Sequence, residues 1–272
     1  MASKMGTIIE FVKDIRNVLR GFKYKKSQYY WRYHYGRRLH KYKDVHQGED
    51  CFIIANGPSL KNMNLECLAD YHTFSLNKAH LLKELFKIDF TYHVCVDDIV
   101  LAQIHDIVAQ GKMGCTSFLS INGTTHQNLT PIQNDHTEYL FTDAPWSFYK
   151  DITQPICEGY TVTYVALQLA FYMGFKNVYL VGVDHSWSNN TSSNVVDTLK
   201  GEDKNHFHPD YFKNMKWHMP DIKGNEASYA LARHQYDAAG RSVLDATVGG
   251  KLQVFPKIAF EEALQLCKKK NG

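Results

Sequence analysis

Two short apolar runs, Cys51-Phe52-Ile53-Ile54-Ala55 and Asn177-Val178-Tyr179-Leu180-Val181-Gly182-Val183, limit what this chain can become more than any other feature. A strand that is apolar at successive positions, rather than alternating, is buried on both faces, and such strands belong to parallel sheets covered by helices. The surrounding pattern agrees. Leu60 to Asp70 reads as a short helix, Thr73 to Leu76 as a second strand, Ala79 to Phe86 as a helix and Thr91 to Val96 as a third strand. This βαβαβ alternation predicts an α/β fold: a Rossmann-like, mostly parallel sheet with helices on both faces.

Further along, Ile99 to Gln110 is helical in pattern, Thr116 to Ser120 is extended, and Asn122 to Ile152 is loop-rich. Tyr160 to Met173 predicts an apolar helix closed by Gly174. A polar stretch from His185 to Lys216 follows, then a helix from about Asn225 to Ala239, a strand at Ser242 to Asp245 and a closing helix from Phe260 to Lys269. The length suits one large domain with an appended segment.

That segment is basic. Met1 to Lys43 carry 12 Lys or Arg against Glu10 and Asp14, a local charge of +10 that leaves −7 for the remainder of a chain whose net charge is +3. Ile8, Phe11, Val12, Ile15, Val18, Leu19 and Phe22 recur at helical spacing, so an amphipathic helix is expected there. It runs into Tyr29-Tyr30-Trp31-Arg32-Tyr33-His34-Tyr35-Gly36-Arg37-Arg38, where aromatics and cations interleave as in interfacial anchors. The predicted division is an arm over 1–47 and a single catalytic α/β domain over 48–272. The arm's alternatives are packing on its own domain, an anionic membrane surface through residues 1–43, and, third, a nucleic acid. No apolar run reaches the length of a bilayer span, no secretory signal is evident, and the six cysteines form no CxxC pair, so a cytoplasmic enzyme, peripheral at most on the inner membrane face, is expected.

In a parallel sheet, ligands collect beyond the carboxyl ends of the strands. After the first strand stands Asn56-Gly57-Pro58-Ser59, where Gly57 permits close backbone approach, Pro58 fixes the turn and Ser59 can cap the next helix, a place suited to a phosphate. The turn is neither GxGxxG nor GxxxxGK[ST], so dinucleotide and P-loop chemistry are unsupported. Asn77 follows the second strand, and Asp97 and Asp98 follow the third. The adjacent carboxylates can hold a divalent cation, or one can cap a helix while the other lines the crevice. After the strand ending at Val183 come Asp184, His185 and Trp187. The chain holds 14 histidines, but no thiolate or His-Glu-x-x-His pattern joins them, so a general acid or base is favoured over zinc.

Ile53 to Leu60 and the block Gly159 to Asp184 together resemble the bacterial family 42 sialyltransferases. They are also similar to the motility-associated glycosyltransferases that place nonulosonic acids on flagellin, and to a family named for an archaeal hydroxymethylpterin pyrophosphokinase. The resemblance implies a GT-A-like variant of the fold. It also implies a cytidine monophosphate (CMP) sugar donor contacted by Asn56, Gly57, Pro58, Ser59 and Asn77, with Asp97 near a further donor-contacting position. Thr161 and Thr163 stand where the family has a Thr-Ser-Gly run, and Asp184 closes the Gly-x-Asp turn. The catalytic base falls at His218. The family's phosphate-binding tyrosine pair is missing: His185 and Trp187 occupy that region, and His185 or Tyr211 is left to take the phosphate. The expected reaction is inverting transfer to a cell-surface glycan with no metal and no cofactor, with no nucleic-acid partner, and with homo-oligomerisation open. The alternative is a magnesium-dependent hydroxymethylpterin pyrophosphokinase with Asp97, Asp98 and Asp184 as ligands; a second is a non-catalytic protein that binds nucleotide or RNA.

Overall fold

The computed structural model describes residues 24–187 and 195–270, and its centre is a seven-stranded sheet in which every neighbouring pair runs parallel. The strands are β1 (Asp50–Ile54), β2 (His72–Leu76), β3 (Tyr92–Cys95), β4 (Thr116–Ser120), β5 (Thr137–Leu140), β6 (Asn177–Val181) and β9 (Ser242–Asp245), in the order β5-β4-β3-β2-β1-β6-β9. The α/β fold expected from the two apolar runs is the one observed. Those runs are two neighbouring interior strands, β1 and β6, paired in register from Asp50 with Asn177 to Ile54 with Val181. Successive strands build outward from β1 to β5, and the chain then crosses back to lay β6 on the other side of β1. The carboxyl ends of β1 and β6 therefore flank the point where strand order reverses, which is where such sheets open a crevice.

Helices cover the sheet: α2 (His80–Phe86), α3 (Asp98–Ala109), α4 (Ile121–His126), α5 (Val162–Tyr172), α6 (Ile222–Ala238) and α7 (Phe260–Leu266). Helix α5 lies against β1, β2 and β3 and packs on α6, and nearly all of its residues are buried. It ends as expected at Gly174, whose φ of +93° lies in the left-handed region that glycine enters at little cost. On the β1 strand, Phe52 meets Phe260 of α7 and Tyr71 edge-on. The segment Leu60 to Asp70, expected as one helix, is two 3-10 turns, Pro58–Asn62 and Leu65–Asp70. The Asn64 side chain accepts from the Glu66 N–H and starts the second turn separately.

The amphipathic stripe Ile8 to Phe22 lies outside the described residues. Residues 24–34 are helical (α1) and pack on the edge of the sheet. Trp31 is 1% exposed, and its indole N–H donates to the Tyr139 carbonyl of β5 at 2.7 Å. Arg38 and Lys41 reach the buried Glu138 of the same strand at 3.3 and 2.8 Å. The N–H groups of Asp44, His46 and Gly48 donate to the carbonyls of Tyr172, Met173 and Gly174, satisfying the open end of α5. His46 and His72 both contact the Glu49 carboxylate, at 2.6 and 3.2 Å, beneath the start of β1. The half of the basic segment that the structure describes is thus built into the body of the protein. Trp31→Ala is expected to destabilise the protein by about 3–5 kcal/mol, the usual cost of emptying a buried aromatic site. Urea unfolding checks this: a loss below about 1 kcal/mol would mean that α1 contributes little to the fold.

Beyond α5 the polar stretch contains a short antiparallel ribbon, β7 (Val196–Thr198) and β8 (Lys216–His218), pairing Val196 with His218. Among the described residues no helix is long and apolar enough to cross a membrane. The six cysteines are free, with Cys51, Cys95, Cys157 and Cys267 buried.

Candidate active site

A cleft of about 600 Å³ opens at the carboxyl ends of β1, β2, β3 and β6. Its first wall is two turns locked together. The Gly57 N–H donates to the Gly182 carbonyl at 2.9 Å, and the Ser59 N–H and hydroxyl donate to the two Asp184 oxygens at 2.9 and 2.7 Å. Gly57 is required by packing rather than by conformation: its φ is an ordinary −69°, but a Cβ there would sit 1.9 Å from Asp184 Oδ2. Ser59 is therefore not a helix cap, as the sequence suggests. The turn that begins at Pro58 has no side-chain cap, and Ser59 is used to hold Asp184. Asn56 and Gly57 line the cleft, whereas Pro58 and Ser59 stand behind it. Burial raises the Asp184 carboxyl above its ordinary range, opposed by the Ser59 hydrogen bonds.

Asn77 lines the cleft at the end of β2, at a φ of +53°. Its backbone carbonyl accepts from His93 Nε2 at 2.7 Å. The amide oxygens of Asn56 and Asn77 are buried with no partner in the protein, so each can accept from a donor on a ligand. Thr161 caps α5, accepting from the Thr163 N–H, and both threonines line the cleft. His185 lines it too and is hydrogen-bonded to Glu226 at 2.9 Å. Tyr211 does not. It is fully buried, stacked on His206 with centroids 4.2 Å apart, and its hydroxyl accepts from the Lys78 N–H. A phosphate in the cleft has no route to that phenol.

The second wall comes from α3 and the β8 ribbon. Asp97 Oδ1 accepts from the Val100 N–H and caps α3, while Asp97 Oδ2 lies 2.7 Å from His218 Nδ1. The ribbon is held there because Gln103 of α3 donates to the Lys216 carbonyl at 2.7 Å. A carboxylate only accepts, so His218 Nδ1 carries the proton and Nε2 is left as the basic nitrogen. The same hydrogen bond raises the His218 pKa above its ordinary value, against a smaller lowering by burial. Asp98 accepts from Gln127 at 2.9 Å. The ligand atoms of Asp97, Asp98 and His218 lie within 4.8 Å of one another. Asp184, engaged by Ser59, is not part of that set, so a cation held there would take His218 as third ligand in its place.

Two features escaped the sequence reading. Glu158, in the loop before α5, lines the cleft, and its carboxyl is pushed up to about 7, first by burial and then by Asp97, Asp98 and Asp143. Near neutral pH it is available in its protonated form. No Lys or Arg is among the described lining residues, which include five carboxylates and four histidines. The other feature is an aromatic shelf. Trp187, His206, Phe212 and Trp217 line one side, with Trp187 and Trp217 centroids 5.9 Å apart. A half-buried acid in a loop leaves no periodic signal, and aromatics scattered over a polar stretch look like isolated exposed rings until the ribbon gathers them.

A family profile described as MptE-like, 6-hydroxymethylpterin diphosphokinase MptE-like, matches residues 26–190, and the chain belongs to that family. The match includes the Asn56 turn, Asn77, Asp97, Glu158 and Asp184, and stops short of His218. Among solved structures, the MAf glycosyltransferase from Magnetospirillum magneticum AMB-1 superposes with a TM-score of 0.51 at 17% identity, over 84% of this chain. The two share a fold, and this chain spans only 38% of the length of that one. The sialyltransferase CstII from Campylobacter jejuni, solved with the substrate analogue cytidine-5'-monophosphate, gives a TM-score of 0.46 at 12% identity, over 78% of this chain and 86% of that one. A comparison with curated proteins gives no match.

Proposed function

We propose that the chain is a cytoplasmic glycosyltransferase that moves a nonulosonic acid from a CMP donor to a glycan hydroxyl with inversion. The observation that carries this reading is the His218–Asp97 pair, 2.7 Å apart, in the same cleft as the Asn56 turn. Donor nucleotide lies along Asn56, Gly57 and Asn77, where the unpaired amide oxygens accept from the base or ribose. His218 Nε2 takes the proton of the acceptor hydroxyl as its oxygen bonds to the anomeric carbon. The bond from that carbon to the phosphate oxygen breaks, and CMP leaves with the electron pair. The N-terminus of α5 at Thr161 and Thr163 and the protonated Glu158 supply hydrogen bonds to the leaving phosphate. With Glu158 neutral, the cleft repels the anionic donor less than its five carboxylates suggest. The scheme needs no metal.

A second reading is favoured by the convergence of Asp97, Asp98 and His218 and by the absence of Lys and Arg from the described lining. Both suit a divalent cation that bridges to a nucleotide triphosphate, in a magnesium-dependent diphosphokinase acting on a pterin alcohol. The two oxygen donors fit magnesium, while the imidazole fits manganese or another borderline metal better. Calorimetric titration with CMP and ATP, with and without magnesium, separates them. Metal-free CMP binding at micromolar affinity is expected; ATP binding that needs magnesium, with no binding of CMP, would replace the transferase with the kinase.

A further inference from the structure

The described part of the basic segment presents one face inward and the other to solvent. Tyr24, Trp31 and Tyr35 point into the body, while Tyr29, Tyr30 and Tyr33 are 75%, 54% and 60% exposed. Lys25, Lys26, Arg32 and Arg37 are exposed beside them, and none has an acidic partner among the described residues. Arg38 and Lys41, by contrast, share the Glu138 carboxylate. Arg37 lies over the Tyr33 ring at 5.7 Å, so phenols and cations form one continuous patch. Three exposed tyrosines on three turns of helix are not needed for folding, because the inward face alone holds the helix in place.

The position of this patch ties it to the cleft. The Tyr24 hydroxyl donates to the Asp143 carbonyl at 3.2 Å, and Asp143 lines the cleft. Helix α1 thus starts at the rim. The charge is distributed the same way: residues 24–43 carry seven Lys or Arg and no Asp or Glu, and residues 44–272 carry −7. An anionic sheet of charge would attract this corner and repel the rest, which orients the molecule as well as binding it.

We propose that the exposed face of α1 docks on an anionic lipid bilayer, with the tyrosines at headgroup level and the cations against lipid phosphates, and turns the cleft mouth toward the membrane. Resting on the transferase reading, this makes the acceptor a membrane-borne saccharide rather than a free one. The surface is a convex helix face with no groove to track a polynucleotide backbone, so a bilayer fits it better than single-stranded RNA.

The test is co-sedimentation of the full chain with vesicles of phosphatidylglycerol and phosphatidylcholine, and with phosphatidylcholine alone. Binding to the mixed vesicles, falling with salt, and none to the neutral ones is expected. Each cation at such a surface contributes about fivefold in partitioning, so the variant Lys25→Gln/Lys26→Gln/Arg32→Gln/Arg37→Gln should lose several hundredfold or more. Tyr29→Ser/Tyr30→Ser/Tyr33→Ser should lose about tenfold or more. All seven side chains are exposed, so melting temperature and CMP affinity are expected to stay at wild-type values. Binding equally to neutral vesicles, wild-type vesicle binding by the cation variant, or a preference for single-stranded RNA through the same residues would overturn the proposal. Vesicle binding requires no donor and CMP binding requires no membrane, so the two readings fail separately.

Discussion

His218→Ala is expected to lower turnover by about a hundred- to ten-thousand-fold, the usual range for removing a general base, while CMP affinity changes by only a few-fold. The separation follows from the architecture. His218 comes from the β8 ribbon, whereas the nucleotide is expected along the turns after β1 and β2. The side chain is partly exposed, so its truncation leaves no buried cavity, and the loss should fall on kcat rather than on the fold. The pH profile adds a second readout. His218 acts as a base only when Nε2 is unprotonated, so kcat/KM falls as pH drops through a pKa that Asp97 holds above the ordinary histidine value. Asp97→Asn keeps an oxygen to cap α3 at Val100 but removes the charge, so the acidic limb should move to lower pH. Turnover should fall as well, because an amide can turn its N–H toward Nδ1 and leave the proton on Nε2. Near-normal turnover in His218→Ala would remove this residue from the mechanism and leave Asp97 and Asp98 as a cation site.

How far the sequence could be read depends on what burial imposes on each element. β1 and β6 were legible because both of their faces are covered, which requires apolar residues at successive positions. α5 was legible because it is buried on nearly every side and ends at a glycine that must adopt positive φ. β5 was not: Thr137–Leu140 contains Glu138 and is buried only because α1 and the 3-10 turn that follows it, Gly36–Tyr42, pack over the sheet edge, the turn bringing Arg38 and Lys41 to that acid. The β7 strand was invisible for the opposite reason, since Val196–Thr198 is exposed throughout and carries no pattern.

The site divides along the same line. Asn56, Asn77, Asp97 and Asp184 follow strand ends, where topology brings polar residues to one crevice, and the structure brings them there. Of the roles weighed for the adjacent carboxylates, the structure shows Asp97 capping α3 and Asp98 lining the cleft, and the second Asp97 oxygen also holds His218. Tyr211 and Glu158 show where such reasoning stops. Tyr211 sits in a polar stretch that suggests a surface loop, yet stacking on His206 and contact with Lys78 bury it. Glu158 looks like a solvated loop acid and is instead half-buried in the cleft wall, close enough to three carboxylates to feel their charge. Only three-dimensional neighbours decide either case.

Gly57→Ala is expected to be the most damaging single-methyl change in the site. The backbone at Gly57 suits any residue, so conformational strain is not the reason. The added Cβ would meet Asp184 Oδ2 at 1.9 Å, its Cγ at 2.5 Å and the Gly182 carbonyl at 2.6 Å. Asp184 must move, and with it go the hydrogen bonds from the Ser59 N–H and hydroxyl that lock the two turns. Overpacking of this kind costs about 1–3 kcal/mol, and each hydrogen bond to a charged group that is lost adds about as much as the lower end of that range. The displaced turn is also the expected donor wall, so CMP affinity should fall at least about tenfold. A double-mutant cycle shows which contact is responsible. Asp184→Ala by itself removes the same hydrogen bonds and should destabilise the protein, but in the Gly57→Ala background it also removes the clash, so there it should cost much less. Recovery should be partial, because the Gly182 carbonyl belongs to the backbone of the neighbouring turn and cannot be trimmed away. If Gly57→Ala melted at the wild-type temperature and bound CMP normally, the two strand-end turns would not be the rigid unit on which the donor site is built.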